Sequence, residues 1–452
     1  MIKPASALCA AVLSFALPLF LPVAQAHTVR PEQVRAHLSF LTADALQGRK
    51  SASRDEAIAA AYVAAQFESF GLTPAPGMSS YVQAGEVVSP QLDGHATLSV
   101  GERILSEGKD FRLLFASGNS VGGEAIVSAS PDALTKGSVA VLPAGSKVAL
   151  TQWLRDARAK GVKLILAQDG PEATKLLESL GGQPLMPTYL AESAPPRPRP
   201  DVAILSAEAF AALKPGAAVN LKVTRTDTAK AFTYNAIGYL KGSDPAAGTI
   251  LITAHLDHLG VRNGVIMPGA NDDASGVAAV LELARALTTG ERPKRSVLFV
   301  CYGAEEAGLL GSAYFGAHPP VPLKDIVANL EIEMIGAQDP KLPKGTMMIT
   351  GWERSNFAEA LKSRGALIAK DPYPEQHFFE RSDNYSLALQ GIVAHTVSGW
   401  ATIPTYHSPE DTLANIDLPY MTAAIQSLVE PVRWLVSGDF QPQWSAGGKP
   451  EK

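Results

Sequence analysis

An α/β fold, with a mostly parallel central sheet flanked by helices and a smaller β-rich domain inserted into it, is what this sequence predicts. Three observations carry that expectation. The chain has 452 residues, more than a single hydrophobic core usually organises. From Tyr234 onward, apolar runs of strand length alternate with amphipathic helical stretches, the pattern of a sheet covered by helices. Between about Leu92 and Asp227 the character changes to short strands and loops. The expected division is therefore a leader over 1–26, an α/β domain built from 27–91 and 229–437, an inserted domain over 92–228, and a tail over 438–452.

The leader carries one charge, Lys3, followed by an apolar run from Ala5 to Val23 broken by Pro18 and Pro22, and it ends in Ala24, Gln25 and Ala26. This is the composition of a secretory signal peptide cut after Ala26, so export to the periplasm or the medium is expected. The prolines and the short apolar core fit a spanning helix poorly, and no stable membrane anchor is expected. Cys9 follows the bulky Leu8, which argues against a lipoprotein. Beyond the leader, Cys301 is the only cysteine, so the mature chain forms no internal disulfide. Its apolar run, Ser296 to Tyr302, marks it as a core thiol in a buried strand. A net charge of -5 supplies no basic field for nucleic acid.

Helical signals fill Pro31 to Leu72. Ser53 and Glu56 have the spacing of a capping box, Gly71 is a stop, and Ile58, Tyr62, Val63, Phe67 and Phe70 supply an apolar face. In the insert, Ser138 to Leu142 and Val162 to Ala167 are expected strands around a helix from Lys147 to Lys160. Pro195 to Pro200 is a stiff loop. Later, strands are expected at Ile250 to Ala254, Ser296 to Tyr302, Ile326 to Met334 and Ile392 to Val397, with a helix from Ser275 to Leu287.

Ligands of open α/β sheets gather beyond the carboxyl ends of the strands, and the residues there are chemically unusual. The strand ending at Ala254 runs into His255, Leu256, Asp257 and His258. Ligating histidines need an acceptor for their second ring nitrogen, a task suited to Asp257. Asp272 and Asp273 precede a helix; adjacent acids there are often only caps, but their nearness to His255 raises Asp272 to a bridging ligand between two metals. Glu305 and Glu306 follow the strand that ends at Tyr302. Metal-assisted hydrolysis needs one acid on the metal and another to accept a proton from water, and neighbouring glutamates can divide those tasks. Glu333 ends another strand in an apolar context where a lone carboxylate is costly to bury. Tyr406 and His407 supply a second imidazole.

The blocks Ala254–His258, Asn271–Asp273, Gly303–Glu306, Asn329–Gly336 and Tyr406–Asp411 together resemble, in order, the co-catalytic dizinc peptidase family that includes secreted bacterial leucyl aminopeptidases and glutamate carboxypeptidase. The resemblance spans about Pro31 to Leu92 and Phe232 to Ser437, and it implies a zinc aminopeptidase-like fold with a protease-associated insert. It further implies two Zn²⁺ ions, one held by His255, Asp272 and Glu333 and the other by Glu306, Asp272 and His407. Glu305 is then the general base, Asp257 the orienting acid and Tyr406 a donor to the developing oxyanion. A cis Asp272–Asp273 peptide is implied as well. Glu333 stands where many members have aspartate, which demands some adjustment of the ligand geometry. Two divalent ions offset by three carboxylates and one hydroxide leave the cluster near neutral.

Peptide substrates follow, with aminopeptidase activity expected ahead of a carboxypeptidase, a glutaminyl-cyclase-like enzyme of the same fold, or an inactive binding protein. A serine hydrolase is the rival outside this family, because Gly118 to Gly122 matches G-x-S-x-G around Ser120. That pattern needs a strand before it and a helix after it, and Ser120 is followed by strand-like sequence. His258, His377 and His395 are expected as structural histidines.

Overall fold

The computed structural model describes residues 28–117, 120–180, 184–193, 200–227 and 230–451. The predicted signal peptide, Gly118 of the G-x-S-x-G stretch and most of the proline-rich loop lie outside the described residues.

Nine strands form the larger sheet: β1 (Val82–Val88), β2 (Tyr189–Leu190), β3 (Ala231–Leu240), β4 (Thr249–His255), β5 (Ser296–Tyr302), β6 (Ile326–Glu333), β7 (Met347–Ile349), β8 (Ile368–Lys370) and β9 (Val393–Ser398). Their spatial order is β8-β7-β9-β6-β4-β5-β3-β1-β2. The central four, β9, β6, β4 and β5, are mutually parallel. The sheet is less uniformly parallel than its sequence predicts. β3 joins β5, β1 joins β3 and β2 joins β1 antiparallel, and β7 runs antiparallel to β9. Parallel strands need both faces covered, and the central ones are: β4 and β5 are buried at every residue.

Helix Ser275–Leu287 packs on one face of β4 and β6, with the long helix Leu418–Ser437 and helix Pro31–Leu41 outside it. Its first turn is so close to β6 that a Cβ on Gly276 would lie 2.1 Å from the Ile332 carbonyl oxygen. Helix Arg54–Ser69 begins as predicted, the Ser53 hydroxyl accepting from the amides of Asp55 and Glu56. The other half of the expected box is redirected. The Glu56 carboxylate accepts from the Ala52 amide, and also from the Thr233 hydroxyl at 2.6 Å and the Tyr234 amide at 2.8 Å, tying the helix to β3. This helix buries Ala59, Ala60, Val63 and Phe67, while Ile58, Tyr62 and Phe70 sit at the margin. The two alanines allow the close approach.

Residues 97–222 supply all eight strands of a second sheet with its own apolar core. The chain leaves and returns through a two-stranded ribbon, Pro90–Leu92 against Arg225–Asp227. The excursion also contributes β2 to the edge of the larger sheet. Residues 438–451, expected as a tail, pack on the α/β core instead: the Trp444 indole donates to the Gly391 carbonyl at 3.0 Å, and its ring lies against Phe379 and His395. A single large aromatic side chain gives this segment its anchor.

Candidate metal centre

The carboxyl ends of β4, β5 and β6 converge on one point, and the residues beyond them assemble there. His255 ends β4, fully buried. Its Nδ1 lies 3.2 Å from the backbone carbonyl of Asp257, which fixes Nδ1 as the protonated nitrogen and turns the Nε2 lone pair towards the site. Nε2 is 3.2 Å from Asp272 Oδ1 and has no hydrogen-bond partner.

Asp272 is the pivot. While Oδ1 faces His255, Oδ2 lies 3.2 Å from His407 Nε2 and 3.8 Å from His258 Nδ1. Glu306 completes the second side, with Oε1 3.2 Å from His407 Nε2 and 2.9 Å from His258 Nδ1. Ligand-capable atoms of His255, Asp272 and Glu333 lie within 4.8 Å of one another, and so do those of His258, Asp272 and Glu306. The two groups share only Asp272. Residues 235–430 match the model of peptidase family M28.

This part of the chain belongs to peptidase family M28.

Among relatives of the M28 domain, the probable leucine aminopeptidase 2 of Aspergillus oryzae is 33% identical over 171 residues, 35% of this chain and 32% of that protein. The chain spans less than half the length of the curated relatives it matches first. Two solved structures share the fold at 20% identity. The aminopeptidase from Aneurinibacillus sp. strain AM-1 gives a TM-score of 0.59 over 92% of this chain and 96% of its own. The zinc aminopeptidase BSAP from Bacillus subtilis gives 0.55 over 91% and 96%.

The M28 domain holds Asp272 in place from several directions. Both oxygens of the buried Asp411 accept backbone amides, from Asn271 at 2.8 Å and Asp272 at 3.0 Å. Asp273 turns away from the cluster and accepts from the amides of Gly276 and Met334, joining the helix start to the end of β6. Asn271 Oδ1 accepts from the Gly336 amide at 2.7 Å. The Asp272–Asp273 peptide is cis. Beneath both loops, the buried Arg49 guanidinium donates to four backbone carbonyls, those of Leu41, Leu256, Pro268 and Gly269.

Asp257 behaves differently from expectation. Its carboxylate is 3.8 Å from His255 Nδ1, too far for a hydrogen bond. It accepts instead from the amides of Glu305 at 3.0 Å and Glu306 at 3.3 Å and from the Ser51 hydroxyl. Two convergent amides at a tight turn are the stronger attraction, so Asp257 orients the acidic pair directly and His255 through its own carbonyl. Glu305 is half-buried beside the cluster but belongs to neither group. Burial pushes its pKa well above the carboxylate range; His255 opposes this, and the nearby Glu306 and Glu333 reinforce it.

Burial acts against the charge of Glu306 too, as does Asp272, yet His258 and His407 hold its pKa down at about 2. Burial would lower His407, but Asp272 and Glu306 raise it to about 10. Tyr406 stacks on the His407 ring at 3.7 Å and lines a recess with Glu333, Met334 and Arg381.

A divalent cation at each group fits this donor set. Nε2 of His255 and Oε1 of Glu306 are buried and without hydrogen bonds, and three carboxylates share the space with three imidazoles. The sequence reading missed His258, Arg49 and Asp411. His258 is fully buried 2.9 Å from Glu306, whereas its sequence position alone gave it no role. The serine alternative fails on structure: Ser120 is exposed and leads directly into strand Val121–Val127, with no helix behind it.

Proposed function

We propose that the protein is an exported dizinc exopeptidase that releases N-terminal residues from peptides. The observation that carries this reading is the orientation of Asp272, whose two oxygens face two different ligand groups. His255, Asp272 and Glu333 would hold one Zn²⁺, and Glu306, Asp272 and His407 the other, with His258 packed against Glu306. Zinc bound there would polarise the scissile carbonyl and acidify the attacking water, whose pKa in bulk is about 15.7. The names of the M28 relatives, an aminopeptidase among them and a zinc aminopeptidase among the fold neighbours, support the same reading.

The chain's own residues divide the remaining work. Glu305, kept beside the cluster by the Asp257 hold on its amide, takes a proton from water at its carboxylate as the oxygen adds to the carbonyl carbon. The same proton passes to the leaving nitrogen as the C–N bond breaks, so water is consumed and a free amino group and carboxylate result. Tyr406, above His407, donates towards the oxygen that gains charge.

The two sides of the cluster are unequal. On the Glu333 side lies a recess of about 30 Å³, and on the Glu306 side a cleft of about 720 Å³. That asymmetry favours an exopeptidase, with the terminal residue at the confined side. The inserted sheet is assigned as a protease-associated domain. Among the described residues no helix is long and apolar enough to cross a membrane; export rests on the predicted leader.

A peptide-library digest read by mass spectrometry tests the reading, with blocked N termini in one arm and amidated C termini in the other. Cleavage abolished by N-terminal blocking and by chelation, and indifferent to sulfonyl fluorides, is expected. Cleavage that survives chelation, or that requires a free C terminus, overturns it.

A further inference from the structure

Asp257 stands between two attractions. Its Oδ1 accepts from the Glu305 amide at 3.0 Å and lies 3.8 Å from His255 Nδ1, so a small rotation of the carboxylate would exchange the first partner for the second. The exchange matters because the Glu305 and Glu306 amides lie beyond the end of β5, in a tight turn that holds Ala304 and Leu309 in the left-handed region. Asp257 is the acceptor for both amides. Its other oxygen, Oδ2, is held loosely by the Glu306 amide at 3.3 Å and tightly by the Ser51 hydroxyl at 2.5 Å, the length of a charge-assisted bond from O–H to carboxylate.

The loop that carries Ser51 is fixed independently of this bond. Gln47, Arg49 and Ala52 have φ of 45°, 50° and 55°, a region that non-glycine residues seldom adopt unless their surroundings enforce it. Here the surroundings do. The His258 amide donates to the Arg49 carbonyl at 3.0 Å and the Gly260 amide to the Gly48 carbonyl at 2.9 Å. The Arg49 guanidinium adds its bonds to Leu256, Pro268 and Gly269, and the Ala52 amide donates to the buried Glu56 carboxylate. With the loop already tied to the segment around Asp257, the distinct effect of the Ser51 hydroxyl falls on the orientation of the Asp257 carboxylate.

We propose that Ser51 is a positioning residue for peptide hydrolysis: its hydroxyl holds Asp257 on the Glu305 and Glu306 amides instead of on His255, and so keeps the Glu305 carboxylate beside the two metal groups. The inference rests on the peptidase reading above. Ser51 acts through Asp257, and its removal leaves every metal ligand in the chain.

The test uses the full-length, zinc-loaded protein and whichever peptide is cleaved fastest. Ser51→Ala should lower kcat by about 10-fold, the lower end for loss of a charged hydrogen bond, with KM and zinc content as in the wild type. Ser51→Thr, which keeps the hydroxyl, should recover most of the loss. In a Glu305→Gln background Ser51→Ala should cause no further loss, because the base whose position it sets is gone. Wild-type kcat in Ser51→Ala, an equal fold-loss in both backgrounds, or zinc lost in step with rate would overturn the inference. A second measurement is independent of activity. Amide hydrogen exchange at Glu305 and Glu306 should quicken by about 10-fold in Ser51→Ala, while the amides of β4 exchange as in the wild type. If no peptide is cleaved, the peptidase reading fails and exchange decides this point alone: faster exchange confined to the turn supports the hold by Ser51, and unchanged exchange overturns it.

Discussion

Both sheets of this protein contain four adjacent parallel strands, and only one of the two has chemistry at its carboxyl edge. In the larger sheet the parallel set is β9-β6-β4-β5; in the inserted sheet it is Val121–Val127, Val139–Val141, Leu164–Gln168 and Asp201–Leu205. The first set delivers His255 and Glu333 at its strand ends and Glu305 and Glu306 just beyond one. The second ends at Ser128, Leu142, Asp169 and Ser206, and Asp169 pairs with Arg112 at the surface. Among the described residues of 92–228, Asp201 is the one buried charge, and it begins its strand rather than ending it. Parallel geometry therefore offers a place for a site without making one. Burying uncompensated charge costs several kcal/mol per group, so acids accumulate at a strand end only where something repays that cost, and in the larger sheet the proposed metal ions would do so.

The sharpest way to break this comparison is to separate catalyst from ligand at the active edge. Glu305→Gln should lower kcat by about 10² to 10⁴ while leaving zinc content intact, the usual worth of a positioned general base. Glu306→Ala or His407→Ala should lose zinc and activity together. Elemental analysis beside single-turnover rates reads both. Zinc loss in Glu305→Gln would mean that the two glutamates have exchanged roles. His258→Ala tests the residue without a sequence-based role: weakened zinc retention is expected, because Glu306 loses its 2.9 Å partner.

A second, smaller effect belongs to the support beneath that edge. Arg49→Met removes a donor from four buried backbone carbonyls and should cost about 3 kcal/mol or more, measured by denaturant unfolding. Zinc affinity should fall with it, since two of those carbonyls, of Pro268 and Gly269, lie just ahead of Asp272. Unchanged stability would show that the loops hold themselves.

This support also marks the limit of what the sequence reveals. His255, Glu305, Glu306 and Glu333 are legible because each ends or closely follows an apolar run of strand length, and Asp272 because it precedes a helix soon after His255, so local pattern and position coincide. The central strands are legible for the same reason, whereas the antiparallel flanks are not, because strand direction depends on long-range pairing. Arg49 lies in a loop with no periodicity, and it meets Leu256 across 207 residues of chain. Asp411 meets Asp272 across 139. Trp444 anchors a segment whose composition resembles a tail. Contacts of this kind leave no local trace.

The two regions should also part in acid. Burial lowers His395, in the α/β core, to about 4, with Nδ1 held 2.8 Å from the Thr350 carbonyl and Nε2 2.7 Å from the Ser355 hydroxyl. Its stabilising contribution is complete above pH 6.5, the unfolded value, and is lost as pH falls through 4. Burial raises Asp201, in the insert, to about 6, against its hydrogen bond from the Ser117 amide. Its contribution has the opposite sign, being present below the unfolded value of 3.8 and lost as pH rises through 6. Each is worth about 3 kcal/mol across its window. Asp201→Asn should therefore raise the melting temperature at pH 7 relative to wild type and have less effect at pH 4. A shift of the same size at both values would remove Asp201 titration as the cause.

The smallest expected effect is the one that bears most directly on the silence of the inserted sheet. Ser120 lies within that sheet's only sequence pattern associated with catalysis, Gly118 to Gly122. A nucleophilic serine needs a base within hydrogen-bond reach and a strained turn from strand to helix that presents its hydroxyl. Ser120 is exposed at the start of strand Val121–Val127, and Gly122 and Gly123 continue along that strand in register with Asn220 and Val219. Its backbone is thus committed to a sheet, with no helix to follow. Ser120→Ala should leave turnover within experimental error and change stability by less than about 0.5 kcal/mol, the range for surface substitutions. A loss of hydrolysis in Ser120→Ala, with zinc still bound, would give the inserted sheet a chemical role, and the contrast between the two parallel edges would no longer hold.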